Sequence, residues 1–147
     1  MSMNQHLVSR IAISLLAIVM IAFGIYHFMR PENMVIYVPE FLPGGMLWVY
    51  IVGIAFILAG LSFITNIQVR LAGYLLFFLL MIFVLSIHLP NYLHSGSKEL
   101  QQLALINLLK DTAIAAFALH VAANAPATVH ETREKVSMPA GSVHVEI

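Results

Sequence analysis

Four long runs of apolar residues constrain what this chain can fold into more than any other feature of its sequence. They cover approximately residues 11–29, 46–64, 71–87 and 103–121. Each is close to the roughly 20 apolar residues that an α-helix needs to cross the hydrocarbon of a bilayer. The runs are continuous rather than alternating, which disfavours the strands of a membrane barrel. The sequence therefore predicts an all-α fold, an integral membrane four-helix bundle.

Composition excludes the other broad classes of protein. Hydrophobic residues make up 61% of the chain and charged residues 10%, whereas soluble domains average about 45–50% and about 25%. Seven Lys and Arg residues balance seven Asp and Glu residues, so no net charge attracts nucleic acid. The chain has no cysteine and therefore no disulfide or thiolate of its own. We expect one membrane domain over residues 1–122, followed by a polar, disordered cytoplasmic tail over residues 123–147.

The basic residues near the span ends predict an orientation. Four fall on one side of the membrane and two on the other, namely Arg10, Arg70, Arg133 and Lys135 against Arg30 and Lys98. Because cytoplasmic loops carry the excess of Lys and Arg, both termini are predicted to lie in the cytoplasm. The link over residues 30–45 is then external. It is apolar, so we expect it to lie on the membrane interface or to fold over the outer end of the bundle.

The fourth span differs from the others because it contains Lys110 and Asp111. Each charge at a helix centre costs roughly 2.5–3.5 kcal/mol on the insertion scale, so these side chains must face protein or a wet cavity. Asn107 lies on the same helical face, one turn earlier. Adjacent residues point about 100° apart, so Lys110 and Asp111 should each need a partner on another helix. Both a functional site and a purely structural ion pair are consistent with this pattern.

Polar residues at the outer ends of the first and third spans extend the candidate site. His27 and Arg30 share a face at the end of the first span, and His88 ends the third span before Pro90. We expect one outward-facing polar pocket, whose candidate residues for ligand binding or proton relay are His27, Arg30, His88, Asn107, Lys110 and Asp111. No catalytic residue can be assigned. No ligand spacing typical of a metal site is present, so no metal is expected.

Small residues within the spans predict close helix packing. Gly53 and Gly60 are seven residues apart on the second span, and Gly24 and Gly73 lie in the first and third. Such residues let helix backbones approach closely, either within one molecule or between two copies. A homo-oligomer is therefore one of the expected assemblies.

Several motifs resemble the DoxX family of small bacterial membrane proteins. They are FGIYHF at residues 23–28 with Pro31 beyond, YVPEFLP at 37–43, His88-Leu89-Pro90, and Asn107 with Lys110-Asp111. The resemblance covers approximately residues 11–119. It implies a four-helix bundle in the bacterial inner membrane. Relatives in this group include a quinone-reducing subunit of thiosulfate oxidation and proteins that partner soluble redox enzymes in oxidative-stress defence.

Two function hypotheses follow, and they leave open whether the chain is an enzyme. In the first, it is a scaffold or accessory subunit for a redox or stress-response partner. In the alternative, it is a quinone- or lipid-binding subunit of a membrane oxidoreductase, with Lys110 and the histidines near the quinone oxygens. A solute carrier that works as an oligomer ranks behind both. The expected partners are the lipid bilayer, a redox protein and a second copy, and not nucleic acid.

Overall fold

The computed structural model describes residues 3–38 and 42–125, and this part of the chain is helical with no strands. Its helical segments, in order, are α1 (Met3–Met29), α2 (Pro31–Val35), α3 (Gly45–Thr65), α4 (Val69–Phe83), a π-helical turn (Val84–His88), α5 (Leu89–His94) and α6 (Lys98–Asn124). The all-α prediction is confirmed. Four stretches are long and apolar enough to cross a membrane, namely Asn4–Met29, Gly45–Thr65, Val69–His94 and Lys98–Asn124.

The helices extend beyond the predicted spans. α1 begins at Met3 rather than at residue 11, because polar residues continue the helix past the apolar run. α6 begins at Lys98 rather than at residue 103, since the Ser97 hydroxyl accepts a hydrogen bond from the Leu100 N–H at 3.1 Å and caps the helix. α6 ends at Asn124. Most of the predicted disordered tail, residues 126–147, lies outside the described residues.

The helix of the third predicted span continues past Pro90. The helix passes through the π-helical turn, in which the Leu89 N–H bonds to the Val84 carbonyl, and continues into α5. Pro90 lies in the first turn of α5, where a proline is tolerated. A π-helical turn rotates less per residue than an α-helix. His88 therefore stays on the buried face that includes Val84 and Leu80.

The bundle is built from two tightly packed helix pairs, α1 with α3 and α4 with α6. A Cβ atom added to Gly24 would lie 2.7 Å from the Gly53 carbonyl oxygen of α3. One added to Gly73 would lie 2.8 Å from the Ala118 carbonyl oxygen of α6. Only glycine allows these backbones to approach so closely. The predicted small-residue packing thus occurs within one molecule.

The two pairs share an apolar core, and they separate toward one end of the bundle. Phe63, Met20 and Leu80 are the largest fully buried side chains. The end at which α1 ends and α6 begins carries His27 and His88, and we call it the histidine end. There α2 and the described residues of the following link fold over the bundle. This is the second of the two placements that the sequence predicts for the link.

Candidate functional site

A cavity of about 590 Å³ lies at the histidine end and is lined by α1, α3, the α4–π-turn helix, α6 and the folded-over link. Most of its lining is apolar or aromatic, including Met20, Phe23, Met34, Val49, Val52, Phe56, Leu80, Phe83 and Ile114. Small-molecule sites have volumes of about 300–1,000 Å³ and are mostly apolar, with a few convergent polar groups. This cavity has both properties, and we call it the main cavity.

Five of the six predicted site residues line the main cavity, namely His27, His88, Asn107, Lys110 and Asp111. Arg30 does not. It forms a 3.9 Å ion pair with Glu32, and both side chains are more than half exposed. Arg30 follows directly after α1, which ends at Met29, so regular helical spacing from His27 does not hold through it. The backbone of Arg30 has φ −139° and ψ 55°, which is not helical.

Asp111 is the centre of the polar cluster. The His88 Nε2 lies 3.0 Å from Asp111 Oδ2, and the Lys110 Nζ lies 3.4 Å from Oδ1 of the same carboxylate. Lys110 also donates a hydrogen bond to Asn107 Oδ1 at 3.1 Å. A continuous polar array therefore runs from the π-helical turn to α6. Among the described residues, no side-chain nitrogen or oxygen that is almost completely inaccessible to solvent is left without a hydrogen-bond partner.

Lys110 and Asp111 were each expected to have a polar partner on another helix, which holds for Asp111 but not for Lys110. Asp111 pairs with His88 of another helix, as predicted. Lys110 instead finds its partners within α6, as a hydrogen bond to Asn107 and an ion pair with Asp111, because its long side chain lets the ammonium reach back over a turn. Its contact with another helix is a cation–π interaction, with Nζ 4.9 Å from the centre of the Phe23 ring.

His27 lines the cavity from α1 and is buried. Its Nδ1–H donates to the Phe23 carbonyl at 2.7 Å, and its ring meets Phe56 edge-to-face at 5.4 Å. A carbonyl oxygen can only accept, so Nδ1 carries the hydrogen. No described residue makes a hydrogen bond to Nε2 of this ring. In the neutral ring that nitrogen is an acceptor, so the site offers both a donor, Lys110, and an acceptor.

Sequence reasoning missed the aromatic side chains that shape this site. Phe23 lies under the Lys110 ammonium, and Tyr37 in the link meets the His88 ring edge-to-face at 6.4 Å. Trp48 lines the cavity and donates its indole N–H to the Pro43 carbonyl at 3.0 Å. Phe23 and His27 are four residues apart and therefore lie on one face of α1. This spacing was the sequence feature that could have identified Phe23 as a residue of the site.

Metal binding has no support in the described part of the chain, residues 3–38 and 42–125. No group of three or more His, Cys, Asp or Glu side chains there could hold a metal ion. The chemistry that the cluster offers is hydrogen bonding by an ammonium, a carboxylate and two imidazoles beside an apolar volume.

Fold and site together define a helical bundle with an apolar cavity and a charged pair in its polar wall. The chain belongs to the family described as Domain of unknown function (DUF8561), whose model matches residues 16–122. That range contains every residue named above for the polar cluster. A search of the curated proteins found no match. A search of the solved structures found none either.

Proposed function

We propose that this chain is a membrane protein that binds an uncharged quinone, or a lipid of similar polarity, in the main cavity as a subunit of a membrane redox assembly. The observation that carries the proposal is the combination of an apolar cavity of about 590 Å³ with a hydrogen-bonding cluster in its wall. An amphiphilic molecule matches both parts, because its head can bond to the cluster while the remainder contacts apolar side chains.

The membrane location is part of the proposal. Four helices of sufficient length and apolarity support it, as do the many large apolar side chains that are exposed on them, among them Leu15, Leu47, Leu58, Leu75, Phe78 and Leu109. We propose the bacterial inner membrane with both termini cytoplasmic, in keeping with the DoxX-like motifs. Arg10 and Arg70 lie at the end opposite the histidine end, which supports an outward-facing cavity.

The charges of the cluster favour an uncharged head over an anionic one. The Lys110 ammonium lies 3.4 Å from the Asp111 carboxylate, so the pair carries no net charge. An anion drawn to Lys110 would meet Asp111 in a medium of low dielectric constant. The ammonium has three N–H donors, of which Asn107 takes one, and the Asp111 carboxylate lies 3.4 Å away as an ion-pair partner. A further N–H can donate to a ligand carbonyl, and His27 can accept from a hydroxyl.

The accessory-subunit hypothesis stays a prediction, and it is compatible with this proposal. A scaffold needs a surface for its partner but has no use for the main cavity. The redox partner would supply the electrons in either case. The two hypotheses differ in whether the purified chain binds a quinone by itself.

Trp48 gives a direct test, since it is the sole tryptophan of the chain and lines the cavity. Quinones quench indole fluorescence on close approach. We expect saturable quenching when the protein in lipid nanodiscs is titrated with a short-chain benzoquinone. Replacing Lys110 by Ala should weaken binding about tenfold or more, because a hydrogen bond to a charged group contributes about 1.5–3 kcal/mol.

The matched control is Lys98→Ala, which removes the same side chain from an exposed position at the start of α6. It should leave the titration unchanged. Quenching that rises linearly without saturation, and equally in all three proteins, would contradict binding in the cavity.

A further inference from the structure

A second cavity, of about 300 Å³, lies along the line of contact between α3 and α4. We call it the α3–α4 furrow. Its lining on α3 consists of Ala55, Leu58, Ala59 and Ser62. On α4 it consists of Leu71, Ala72, Leu75, Leu76 and Leu79, together with Gln68 just before that helix. Leu79 lines the main cavity as well. The two cavities therefore adjoin at this side chain.

The furrow is open on its outer side. Leu58 and Leu75 each line it while 60% of their surface is exposed. In a bilayer such side chains meet hydrocarbon. The main cavity opens on the same side, because Ile51 of α3 and Ile82 of α4 line it and are 42% and 58% exposed.

At two other helix contacts the helices pack more closely. Where α1 meets α3 and α4 meets α6, glycines bring the backbones together, as at Gly24 and Gly73. Between α3 and α4 the small residues instead line empty space, namely Ala55, Ala59 and Ala72. The α3–α4 contact is thus filled more loosely than these two.

We infer that the ligand of the main cavity carries a long apolar chain and that this chain occupies the α3–α4 furrow, reached sideways from the hydrocarbon. The inference rests on the proposed function, and it names the occupant of the furrow as part of the same molecule. The head lies at Lys110, and the chain passes Leu79 and runs along α4 toward Leu71. From Leu79 to Leu71 the helix has eight residue steps of about 1.5 Å, or about 12 Å, which suits a chain of about ten carbons.

The connection to the bound head, rather than the hydrophobic effect, favours this placement. A chain that leaves lipid for the furrow gains no transfer free energy, since lipid tails are equally apolar. Once the head is bound at Lys110, however, its own chain is held beside the furrow at a higher effective concentration than a free lipid tail. A chain held in this way also fixes the direction of the head toward the polar cluster. Ligands without a chain should therefore bind in more than one orientation.

The test is photo-crosslinking in lipid nanodiscs with a benzoquinone whose chain of about ten carbons ends in a diazirine. We expect illumination to label residues 55–62 and 71–79 in preference to the exposed faces of α1 and α6. Ala55→Phe and Ala72→Phe fill the furrow from its two walls and should each reduce this labelling severalfold. Ala22→Phe, on the exposed face of α1, should not.

The outcomes separate this inference from the function on which it rests. If the short-chain quinone still quenches Trp48 saturably but labels spread evenly over all exposed helix faces, the furrow assignment is overturned alone. Unchanged labelling in both phenylalanine variants would overturn it as well. If the unmodified protein shows no saturable quenching, the proposed function fails first. Two variants on opposite walls keep the test valid if one fails to fold.

Discussion

His88 and Asp111 form a buried pair that joins the π-helical turn to α6, with Nε2 and Oδ2 3.0 Å apart and side chains only 11% and 8% exposed. The same carboxylate lies 3.4 Å from the Lys110 ammonium. One acidic residue thus connects two helices and orients a donor in the cavity wall. The structural and functional interpretations of this cluster are therefore compatible, and variants can separate their contributions.

Asp111→Ala is expected to lower the free energy of unfolding by about 2–4 kcal/mol, because it leaves the His88 imidazole buried without its partner. His88→Ala should act in the same direction. Since the two residues share one interaction, the double variant should cost less than the sum of the single ones, by about 1–3 kcal/mol. Unfolding of the detergent-purified proteins by denaturant measures each value. Thr112→Ala, an exposed neighbour, is the control, and strictly additive losses would contradict the pair.

Gly24→Ala is expected to destabilise the α1–α3 pair by about 1–3 kcal/mol, the usual cost of overpacking. The added Cβ would lie 2.7 Å from the Gly53 carbonyl oxygen, so the helices must move apart. Gly96→Ala is the matched control, because a Cβ there has no neighbour within 4 Å. It should change stability by less than about 0.5 kcal/mol. Equal melting temperatures for both variants would show that the α1–α3 contact is looser than described.

The orientation can be tested by single-cysteine labelling, because the chain has no cysteine. Gly96→Cys lies between α5 and α6 at the histidine end, and Ile67→Cys lies in the exposed link between α3 and α4. A membrane-impermeant maleimide added to intact cells should label Gly96→Cys. It should label Ile67→Cys only after the membrane is opened. The reverse pattern would place the cavity on the cytoplasmic side.

The sequence was informative wherever regular helix geometry holds. Continuous apolar runs identified four helices, because burial in lipid or protein requires the same residues over each whole span. Asn107, Lys110 and Asp111 were placed on one face of α6, and all three line the main cavity. Regular spacing was sufficient there because α6 is an uninterrupted α-helix from Lys98 to Asn124.

Where the helix departs from regular geometry, the sequence pattern was less informative. Arg30 follows the last residue of α1 and has a non-helical backbone, so its regular spacing from His27 does not place it in the cavity wall. Pro90 suggested an end to the third helix, but the π-helical turn before it allows the helix to continue. The cavity itself depends on how four helices diverge, which no local pattern along one helix records. Phe23 and Trp48 line it, although as single residues they resemble ordinary apolar side chains.

The binding of a quinone in the main cavity is the central claim, and the molecules that accompany the purified protein test it most directly. Solvent extraction and mass spectrometry should be applied to the protein in mild detergent, beside Lys110→Ala and Lys98→Ala. We predict close to one quinone per chain in the unmodified and Lys98→Ala proteins, and its loss from Lys110→Ala. Bulk lipid alone in all three samples would contradict the claim and favour the scaffold hypothesis.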